Sequence, residues 1–314
     1  MENTKRVVVA LGHSALGYTT TQQWDAVHYT AKYLADLMDA GCQLTITHSN
    51  GPQVSMIHKA MTELHRIYID YSPAPMCVCS AMSQGYAGYD IQNALKAELL
   101  SRGNTTPVST ILTQVSVDPY DEAFYAPSKK IGRYMSKEDA ENETKKGNYV
   151  VEEEGKGYLR VGATPKPLDI LELDSSRLLA DHGQAVICCG GGGIPVTENS
   201  NGSLSGVAAV IDKDFAAELL AEQVGADILL ILTEVEKVAV NFNKPDQRNL
   251  SSMSLHEAAG YCEEGQFPPG SMLPKVEAAM KFVRANPDKK AIITSLDKAA
   301  EALDGKTGTV ITFS

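Results

Sequence analysis

The sequence predicts an α/β fold with a mainly parallel central sheet and helices on both of its faces. The first observation is that short apolar runs rich in β-branched residues alternate with longer segments of helical periodicity, nearly to the C-terminus. The second is that runs such as residues 7–11 and 228–232 are apolar at consecutive positions, as in strands buried on both faces. Parallel strands need crossover connections, and the helical segments supply them.

The elements follow one another in a regular order. The predicted strands are residues 7–11, 44–47, 108–117, 185–189, 228–232, 291–294 and 309–313. The predicted helices are residues 21–39, a stretch that follows Pro52 and reaches residue 69, a helix that closes over 94–100, and residues 170–182, 215–224, 255–263, 276–285 and 298–303. In the first helix Leu34 and Met38 lie one turn apart, and Gly41 stands where a helix C-terminal cap belongs.

Residues 118–167, called the insert from this point, break the alternation. The insert is rich in Lys, Glu, Gly and Pro, has weak apolar periodicity, and is too long for a simple loop. Aromatic and aliphatic side chains nevertheless recur within it at Phe124, Tyr125, Ile131, Tyr134, Tyr149, Tyr158 and Leu159. We therefore expect one domain over residues 1–314 with a protruding subdomain, or lid, inserted at 118–167. A poorly ordered surface excursion is the alternative.

The composition is that of a folded protein with an acidic surface. The 314 residues are 43% hydrophobic, and 39 acidic against 28 basic side chains give a formal charge of −11. Nucleic acids and anionic membranes are themselves negatively charged, so neither is an expected partner. An anionic small-molecule substrate must then be held by a few locally placed lysines.

The sequence also constrains the location and the metal content. The apolar run near the N-terminus is too short for a signal peptide, and no run of about 18 apolar residues predicts a membrane span. The six cysteines are sparse and form no C-x-x-C, which favours reduced core thiols and a cytoplasmic location. His58 and His65 lack the further ligands that a zinc site needs, so no metal held by protein side chains is expected.

Four predicted turns lie at the carboxyl ends of strands, where parallel sheets bind their ligands. They are Gly12-His13-Ser14, Ser49-Asn50-Gly51-Pro52, Gly190-Gly191-Gly192-Gly193 and Thr233-Glu234-Val235. Glycines let backbone N–H groups approach phosphate oxygens, so these turns indicate a phosphate-bearing ligand. Tight packing is the alternative explanation of the four consecutive glycines. Neither G-x-x-x-x-G-K-S/T nor G-x-G-x-x-G at a strand-to-helix turn is present.

Two lysines stand at predicted helix starts, where the helix dipole disfavours a cation. Lys213 lies between Asp212 and Asp214, and a carboxylate on either side would hold its side chain in one rotamer. Lys275 follows Pro274, a residue type favoured in the first turn of a helix. Two lysines placed in this way indicate a bound anion, whereas solvation is the more ordinary explanation for either one alone.

Several long motifs resemble those of carbamate kinases, which are members of the amino acid kinase family. They are residues 50–54 (NGPQV), 81–85 (AMSQG), 127–132 (PSKKIG), 185–196 (AVICCGGGGIPV), 206–214 (GVAAVIDKD), 241–247 (NFNKPDQ) and 265–275 (GQFPPGSMLPK). The similarity runs from about residue 7 to the C-terminus. It implies a three-layer α/β/α sandwich around a mainly parallel sheet, with a protruding subdomain where the insert lies.

The resemblance also implies an activity. Carbamate kinases are typically cytoplasmic homodimers that transfer a phosphoryl group reversibly between ATP–Mg²⁺ and carbamate. In arginine or ureide breakdown they use carbamoyl phosphate and ADP to make ATP. Phosphoryl transfer depends on in-line positioning and charge neutralisation rather than on covalent chemistry by the protein, which agrees with the lysines and glycine turns.

By matching position, the resemblance implies roles for individual residues. Lys213 would bridge the transferred phosphoryl group, Lys275 would hold the nucleotide phosphates, and Asp214 would orient the lysines. Lys129 on the insert would close over the carbamoyl end, although Lys130 stands where the family usually has proline and could act instead. The implied substrate-binding residues are Gly12, His13, Ser14, Ser49, Asn50 and Gly51, and the implied nucleotide-binding residues are Gly190, Gly191, Gly192, Gly193, Lys213, Thr233, Met272 and Lys275.

The sequence departs from the family pattern on two substrate loops. Gly12-His13-Ser14 stands for Gly-Gly-Asn, and Ser49 and Ser55 replace glycines in and after the second turn. A β-carbon restricts positive φ and occupies space near a ligand, so His13 could either donate a hydrogen bond to the phosphoryl oxygens or block the site. Two alternatives to carbamate kinase therefore stay open: a same-fold kinase for another small carboxylate, and a non-catalytic nucleotide-binding paralogue.

Overall fold

The computed structural model of the protein describes residues 4–17 and 19–314. Its strands are β1 (Lys5–Leu11), β2 (Cys42–His48), β3 (Val108–Thr110), β4 (Gln114–Val117), β5 (Lys129–Met135), β6 (Tyr149–Glu153), β7 (Gly157–Gly162), β8 (Pro167–Ile170), β9 (Ala185–Ile187), β10 (Ile194–Glu198), β11 (Leu204–Gly206), β12 (Ile228–Thr233), β13 (Ala239–Val240), β14 (Arg248–Asn249), β15 (Ser252–Ser254), β16 (Lys290–Ser295) and β17 (Thr309–Thr312). Its helices are α1 (Thr20–Asp39), α2 (Gly51–Ile67), α3 (Met76–Ser101), α4 (Lys137–Lys145), α5 (Leu173–Asp181), α6 (Lys213–Gln223), α7 (Leu255–Glu263), α8 (Met272–Ala285) and α9 (Ala299–Leu303).

The central sheet has eight strands in the order β15-β17-β16-β12-β1-β2-β9-β3, parallel except between β16 and β17. β1 lies in the interior, where Val9 is in register with Leu230 of β12 and Ile46 of β2. Val9 belongs to the core beneath α1 and α3, whereas its neighbours Val8 and Ala10 belong to the core beneath α6 and α8. Because successive side chains of a strand point to opposite faces, the consecutive apolar residues serve both cores. The predicted three-layer α/β/α sandwich is confirmed.

The single strand predicted for residues 108–117 is wrong. The chain leaves the central sheet after Thr110, and β4 pairs instead with β10 and β8 in a separate four-stranded sheet. A side chain distant in the sequence stabilises the break between β3 and β4, since the Gln84 Oε1 atom accepts a hydrogen bond from the Thr113 N–H at 2.8 Å. The helix predicted for residues 170–182 also begins too early, because Ile170 ends β8 and α5 starts at Leu173.

The insert contains α4 and a three-stranded antiparallel sheet in the order β5-β7-β6. Its contacts with the rest of the chain include one through Ile131 and one through Ala163. Ile131 of β5 packs against the apolar cluster of Val54 and Met76, and the Val210 N–H donates to the carbonyl oxygen of Ala163 at 2.9 Å. The second contact ties the insert to the loop that leads into α6. A function of the insert as a lid stays a prediction.

Within residues 4–17 and 19–314, no helix is long and apolar enough to span a membrane. The six cysteines are free thiols, and all but Cys262 are buried. They therefore contribute to the interior as small, largely apolar side chains.

Candidate active site

The candidate site lies at the carboxyl ends of β1, β2, β9 and β12. A 3₁₀ turn at His13–Ala15 follows β1, and Asn50 occupies the N-cap position of α2 shortly after β2. The Ser49 N–H donates to the carbonyl oxygen of Leu11 at 3.0 Å, which holds these two turns side by side. The strands are parallel neighbours, so the turns that follow them lie along one edge of the sheet.

The four consecutive glycines after β9 are buried and packed against protein atoms. A Cβ atom at Gly191 would lie 2.0 Å from the side-chain nitrogen of Asn50, and one at Gly192 would lie 2.4 Å from the carbonyl oxygen of Ile211. The Asn50 amide is itself committed, since it donates to the Ser83 hydroxyl at 2.6 Å. Close packing thus explains why glycine stands at these positions. Contact of Gly190, Gly191, Gly192 and Gly193 with nucleotide phosphates stays a prediction.

Asp212, Lys213 and Asp214 form the start of α6, which begins two residues earlier than predicted. Asp212 is the N-cap residue, and its Oδ1 atom accepts a hydrogen bond from the Asp214 N–H at 2.9 Å. The Lys213 Nζ atom lies 2.6 Å from Asp214 Oδ1, and the Lys275 Nζ atom lies 3.0 Å from Asp214 Oδ2. The expectation that carboxylates on both sides hold Lys213 is therefore wrong for Asp212, because that side chain caps the helix instead.

The two neighbouring lysines of β5 point to different partners. Lys129 contacts Asp212 Oδ2 at 2.5 Å, at the edge of the site. Lys130 pairs with Glu153 of β6, inside the insert. Adjacent residues of a strand face opposite sides, so the pleat of β5 brings one lysine to the site and turns the other away. The structure thus assembles Lys129, Lys213 and Lys275 around the first turn of α6.

Burial and charge determine the ionisation of the carboxylate between the lysines. Burial alone would raise the pKa of Asp214, but the ammonium groups of Lys213 and Lys275 outweigh burial and hold this pKa at about 2. Burial lowers the pKa of Lys213 against the opposing attraction of Asp214. Asp214 supplies negative charge within the first helical turn, which offsets the unfavourable placement of Lys213 at the positive end of the dipole. No bound anion is needed to explain that placement.

The three lysines keep hydrogen-bonding capacity for a ligand. An ammonium group has three N–H donors. Within the described residues, Lys213 and Lys129 each use one donor on a carboxylate, while Lys275 uses two, on Asp214 and on the carbonyl oxygen of Ser271. Five donors therefore remain, enough to meet an anionic group with several oxygen atoms.

His13 and Ser49, the two departures from the family pattern, contact each other. The Ser49 hydroxyl lies 2.6 Å from His13 Nδ1, with the imidazole above the start of α2, where a Cβ atom on Gly51 would be 3.1 Å from His13 Cε1. The surrounding protein atoms, and then the charges of Lys213, Lys275 and Lys129, lower the pKa of His13 to about 4. His13 is exposed to solvent, yet these nearby atoms and charges keep its imidazole neutral at pH 7.

The remaining candidate residues line the same edge. Ser14 is exposed in the 3₁₀ turn after β1, and a Cβ atom at Gly12 would lie 2.9 Å from the carbonyl oxygen of Leu232 in β12. Thr233 ends β12 and Met272 begins α8, both partly exposed. Their contact with nucleotide stays a prediction.

A groove of about 240 Å³ lies next to the start of α8. It is lined by Asn241, Phe242, Lys244, Gly265, Gln266, Phe267, Pro268 and Pro269. The Leu273 N–H donates to the carbonyl oxygen of Pro268 at 3.1 Å, which joins the groove to the first turn of α8 and so to the segment that carries Lys275. In the part of the chain that the structure describes, no group of three or more His, Cys, Asp or Glu side chains could hold a metal ion.

Sequence reasoning missed one contact and one buried residue of this region. Asp212 was expected to hold Lys213, and its contact with Lys129, 83 positions away in the chain, has no sequence signal. His48, the last residue of β2, is fully enclosed, and a Cβ atom at Gly190 would lie 2.4 Å from its Nε2 atom. Burial lowers the pKa of His48 to about 4. A single histidine at a strand end gives no indication of such burial.

The chain has extensive similarity to known proteins. The sequence profile of the amino acid kinase family matches residues 5–295. Carbamate kinase-like protein YqeA of Escherichia coli is 50% identical over 98% of this chain and 99% of its own, and carbamate kinase of Clostridium perfringens is 49% identical over the same shares. The structure of carbamate kinase from Giardia lamblia bound to AMP-PNP is 37% identical over 99% of both chains, with a TM-score of 0.91. This chain therefore belongs to the amino acid kinase family.

Proposed function

We propose that the protein is a carbamate kinase, which transfers a phosphoryl group between ATP and carbamate. The observation that carries the proposal is the convergence of Lys129, Lys213 and Lys275 on two carboxylates at the start of one helix. The relatives of about half identity that are named carbamate kinases or carbamate kinase-like proteins support the same activity. They favour it over the two alternatives that the sequence left open.

The arrangement suits phosphoryl transfer. In the direction that makes ATP, a β-phosphate oxygen of ADP attacks the phosphorus of carbamoyl phosphate, and the P–O bond to the carbamate breaks. Charge is spread over the three equatorial oxygens of the group in transit. The five remaining lysine donors are available to neutralise that charge. Asp214 fixes Lys213 and Lys275 before the substrate arrives, so little reorganisation accompanies the reaction.

Magnesium is expected with the nucleotide and prefers oxygen ligands. The carboxylates of the described site do not fit this role. Asp214 is engaged by two lysines, and Asp212 is engaged by Lys129 and a backbone N–H. We therefore expect the nucleotide phosphates and water to hold the ion, with no ligand from these side chains.

The groove beside α8 is the proposed place for the nucleoside part of ATP or ADP. It adjoins the segment that begins α8, so a nucleoside in it would direct its phosphates towards Lys275. Phe242 offers an aromatic surface, 49% exposed, on which a base can stack. The Giardia lamblia relative, which was solved with AMP-PNP bound, supports nucleotide binding by this fold.

Finer features of the proposal come from the resemblance. We expect the physiological reaction to make ATP from carbamoyl phosphate and ADP during arginine breakdown. A cytoplasmic location is favoured by the six free thiols. A homodimer is favoured by exposed apolar side chains around the β3 edge of the central sheet. They are Leu112 just after β3, Met82 and Tyr89 of α3, which packs on β3, and Leu168 of β8, which pairs with β4.

The test is to measure ATP formation from carbamoyl phosphate and ADP with Mg²⁺, together with calorimetric binding of ADP. Turnover with carbamoyl phosphate that exceeds turnover with acetyl phosphate would support the proposal. Preferential turnover of another acyl phosphate would identify the protein as a kinase for a different small carboxylate. Binding of ADP without turnover would identify a non-catalytic nucleotide-binding protein.

A further inference from the structure

The insert meets the start of α6 through more than one contact. Val210, two residues before Asp212, donates its N–H to the carbonyl oxygen of Ala163, the residue after β7. Ala163 and Ala209 also form an isolated parallel bridge. The backbone of the insert is therefore fixed directly beside the helix cap that Lys129 contacts from β5.

The Asp212 carboxylate divides its two oxygen atoms between two tasks. Oδ1 accepts the Asp214 N–H at 2.9 Å and caps α6, while Oδ2 accepts from the Lys129 ammonium at 2.5 Å. The Asp212 side chain is 16% exposed, so water screens this ion pair less than it screens a pair on the open surface. One side chain thus connects the insert to the helical turn that carries Lys213 and Asp214.

We propose that Asp212 is a positioning residue that holds Lys129 over the phosphoryl-transfer site. This inference rests on the proposed function, because it holds that the contact with Asp212 orients Lys129 for binding the substrate. Lysine has a flexible four-carbon side chain, and a single acceptor near its ammonium group restricts it strongly. Lys129 uses one of its three donors on a described residue, so it can bind a ligand without leaving Asp212.

Charge gives a second reason for the contact. Lys129, Lys213 and Lys275 bring three positive charges to one cleft, and Asp214 is already shared by two of them. Without Asp212, Lys129 would have no neutralising partner among the described residues and would be repelled by the other two lysines. The insert carries Lys129, so the same repulsion would loosen the insert from α6.

Asp212→Asn separates the two tasks of the carboxylate. Asparagine is as good a helix N-cap as aspartate, so its single amide oxygen can keep the bond from the Asp214 N–H. Its amide nitrogen would then face the Lys129 ammonium and could not accept a hydrogen bond from it. The matched control is Glu153→Gln, which removes the negative charge that pairs with the adjacent Lys130 and lies within the insert.

Steady-state kinetics with carbamoyl phosphate and ADP form the first part of the test. We expect Asp212→Asn to lower kcat/KM about 10-fold, mainly through KM for carbamoyl phosphate, and Lys129→Met to lower it about 10²–10³-fold. If Asp212 acts through Lys129, the double variant is no slower than Lys129→Met alone. Effects that multiply in the double variant, or an Asp212→Asn enzyme as active as Glu153→Gln, would overturn the proposal.

Hydrogen exchange without substrate forms the second part and does not depend on turnover. In Asp212→Asn, peptides from residues 157–163 and 207–211 should exchange faster than in the unmodified protein, while peptides from 214–223 should not, because the cap is kept. Glu153→Gln should leave residues 207–211 unchanged. If the unmodified protein makes no ATP, the proposed function fails, and exchange alone decides the inference. Unchanged exchange at 157–163 and 207–211 would overturn it in either case.

Discussion

At the scale of single residues, the geometry of the site depends on which lysine pairs with which carboxylate. Asp214 was expected from the resemblance to orient the lysines, and it does contact Lys213 and Lys275. The choice between Lys129 and Lys130 could not be made from the sequence, because it depends on the pleat and pairing of β5. Contacts between neighbouring residues at a helix start can be predicted from the sequence. The contact between Lys129 and Asp212, 83 positions apart, cannot.

The first prediction concerns the buried lysine of this cluster. Lys213→Ala should lower kcat by at least about 10²–10³-fold, because it removes a preorganised donor for the phosphoryl oxygens. The fold should survive, since Asp212 still caps α6 and Asp214 keeps Lys275 as a partner. The measurements are ATP formation from carbamoyl phosphate and circular dichroism of the purified variant.

Lys306→Ala is the matched control, since Lys306 is exposed and pairs with exposed Asp304, outside the lysine cluster of the site. It should turn over at the normal rate. A Lys213→Ala enzyme with near-normal kcat would refute the role assigned to Lys213.

The second prediction concerns His48. Burial lowers its pKa from the ordinary 6.5 to about 4. Between these values the unfolded chain binds a proton that the folded chain does not, so stability falls as the pH falls. This one group should reduce the free energy of unfolding by up to about 3 kcal/mol as the pH falls from 6.5 to below 4.

His48→Asn isolates that contribution from all other groups. The asparagine amide can still donate to the carbonyl oxygen of Ser49, as His48 Nδ1 does at 2.9 Å. Urea unfolding at pH 7 and pH 4.5 should show a smaller loss of stability on acidification in the variant than in the unmodified protein. Equal losses in both proteins would mean that His48 is not a buried neutral group.

At the scale of elements, apolar periodicity predicted the central sheet better than its periphery. Strands such as β1 and β12 are covered on both faces, so nearly every residue in them is apolar. β4 was predicted only as the end of one long strand, and β8 was not predicted, because the two pair in a second sheet that is fixed by contacts such as that from Gln84 to Thr113. β8 has only four residues, buried at both ends and exposed at the two middle positions, so it shows no period-two pattern.

The third prediction tests the tight turn after β9. Gly191→Ala would place a methyl group 2.0 Å from the Asn50 side chain in a backbone with φ of +66°. We expect a loss of about 2–4 kcal/mol in the free energy of unfolding, from overpacking together with backbone strain. Displacement of Asn50 should also weaken turnover in the same variant.

Gly225→Ala separates the two causes. Gly225 has a similar φ of +67°, but no atom lies within 4 Å of its would-be Cβ atom. That variant should lose only about 1 kcal/mol, the cost of the backbone conformation. Equal destabilisation in both variants would mean that close contact with Asn50 is not the reason why position 191 requires glycine.

At the scale of the whole molecule, the site is assembled from distant parts of the chain, from His13 to Lys275. Their convergence was predictable in outline, because parallel strands deliver their following turns to one edge. The attachment of the insert was not predictable, since it depends on backbone contacts such as that between Val210 and Ala163.

The last prediction follows from the edge of the central sheet. β3 is an edge strand, and Leu112 just beyond it is 52% exposed, with Leu168 of nearby β8 similarly exposed. Exposed apolar side chains at a sheet edge favour association with another copy. Light scattering should therefore give twice the chain mass for the unmodified protein, and the chain mass for the double variant Leu112→Glu and Leu168→Glu. Phe313→Glu, an equally polar change at the opposite end of the sheet, should remain dimeric. Because neither Leu112 nor Leu168 contributes to the cluster of Lys129, Lys213 and Lys275, the monomeric variant should keep most of its kcat. A monomeric unmodified protein, or a double variant that stays dimeric, would show that this edge is not the interface.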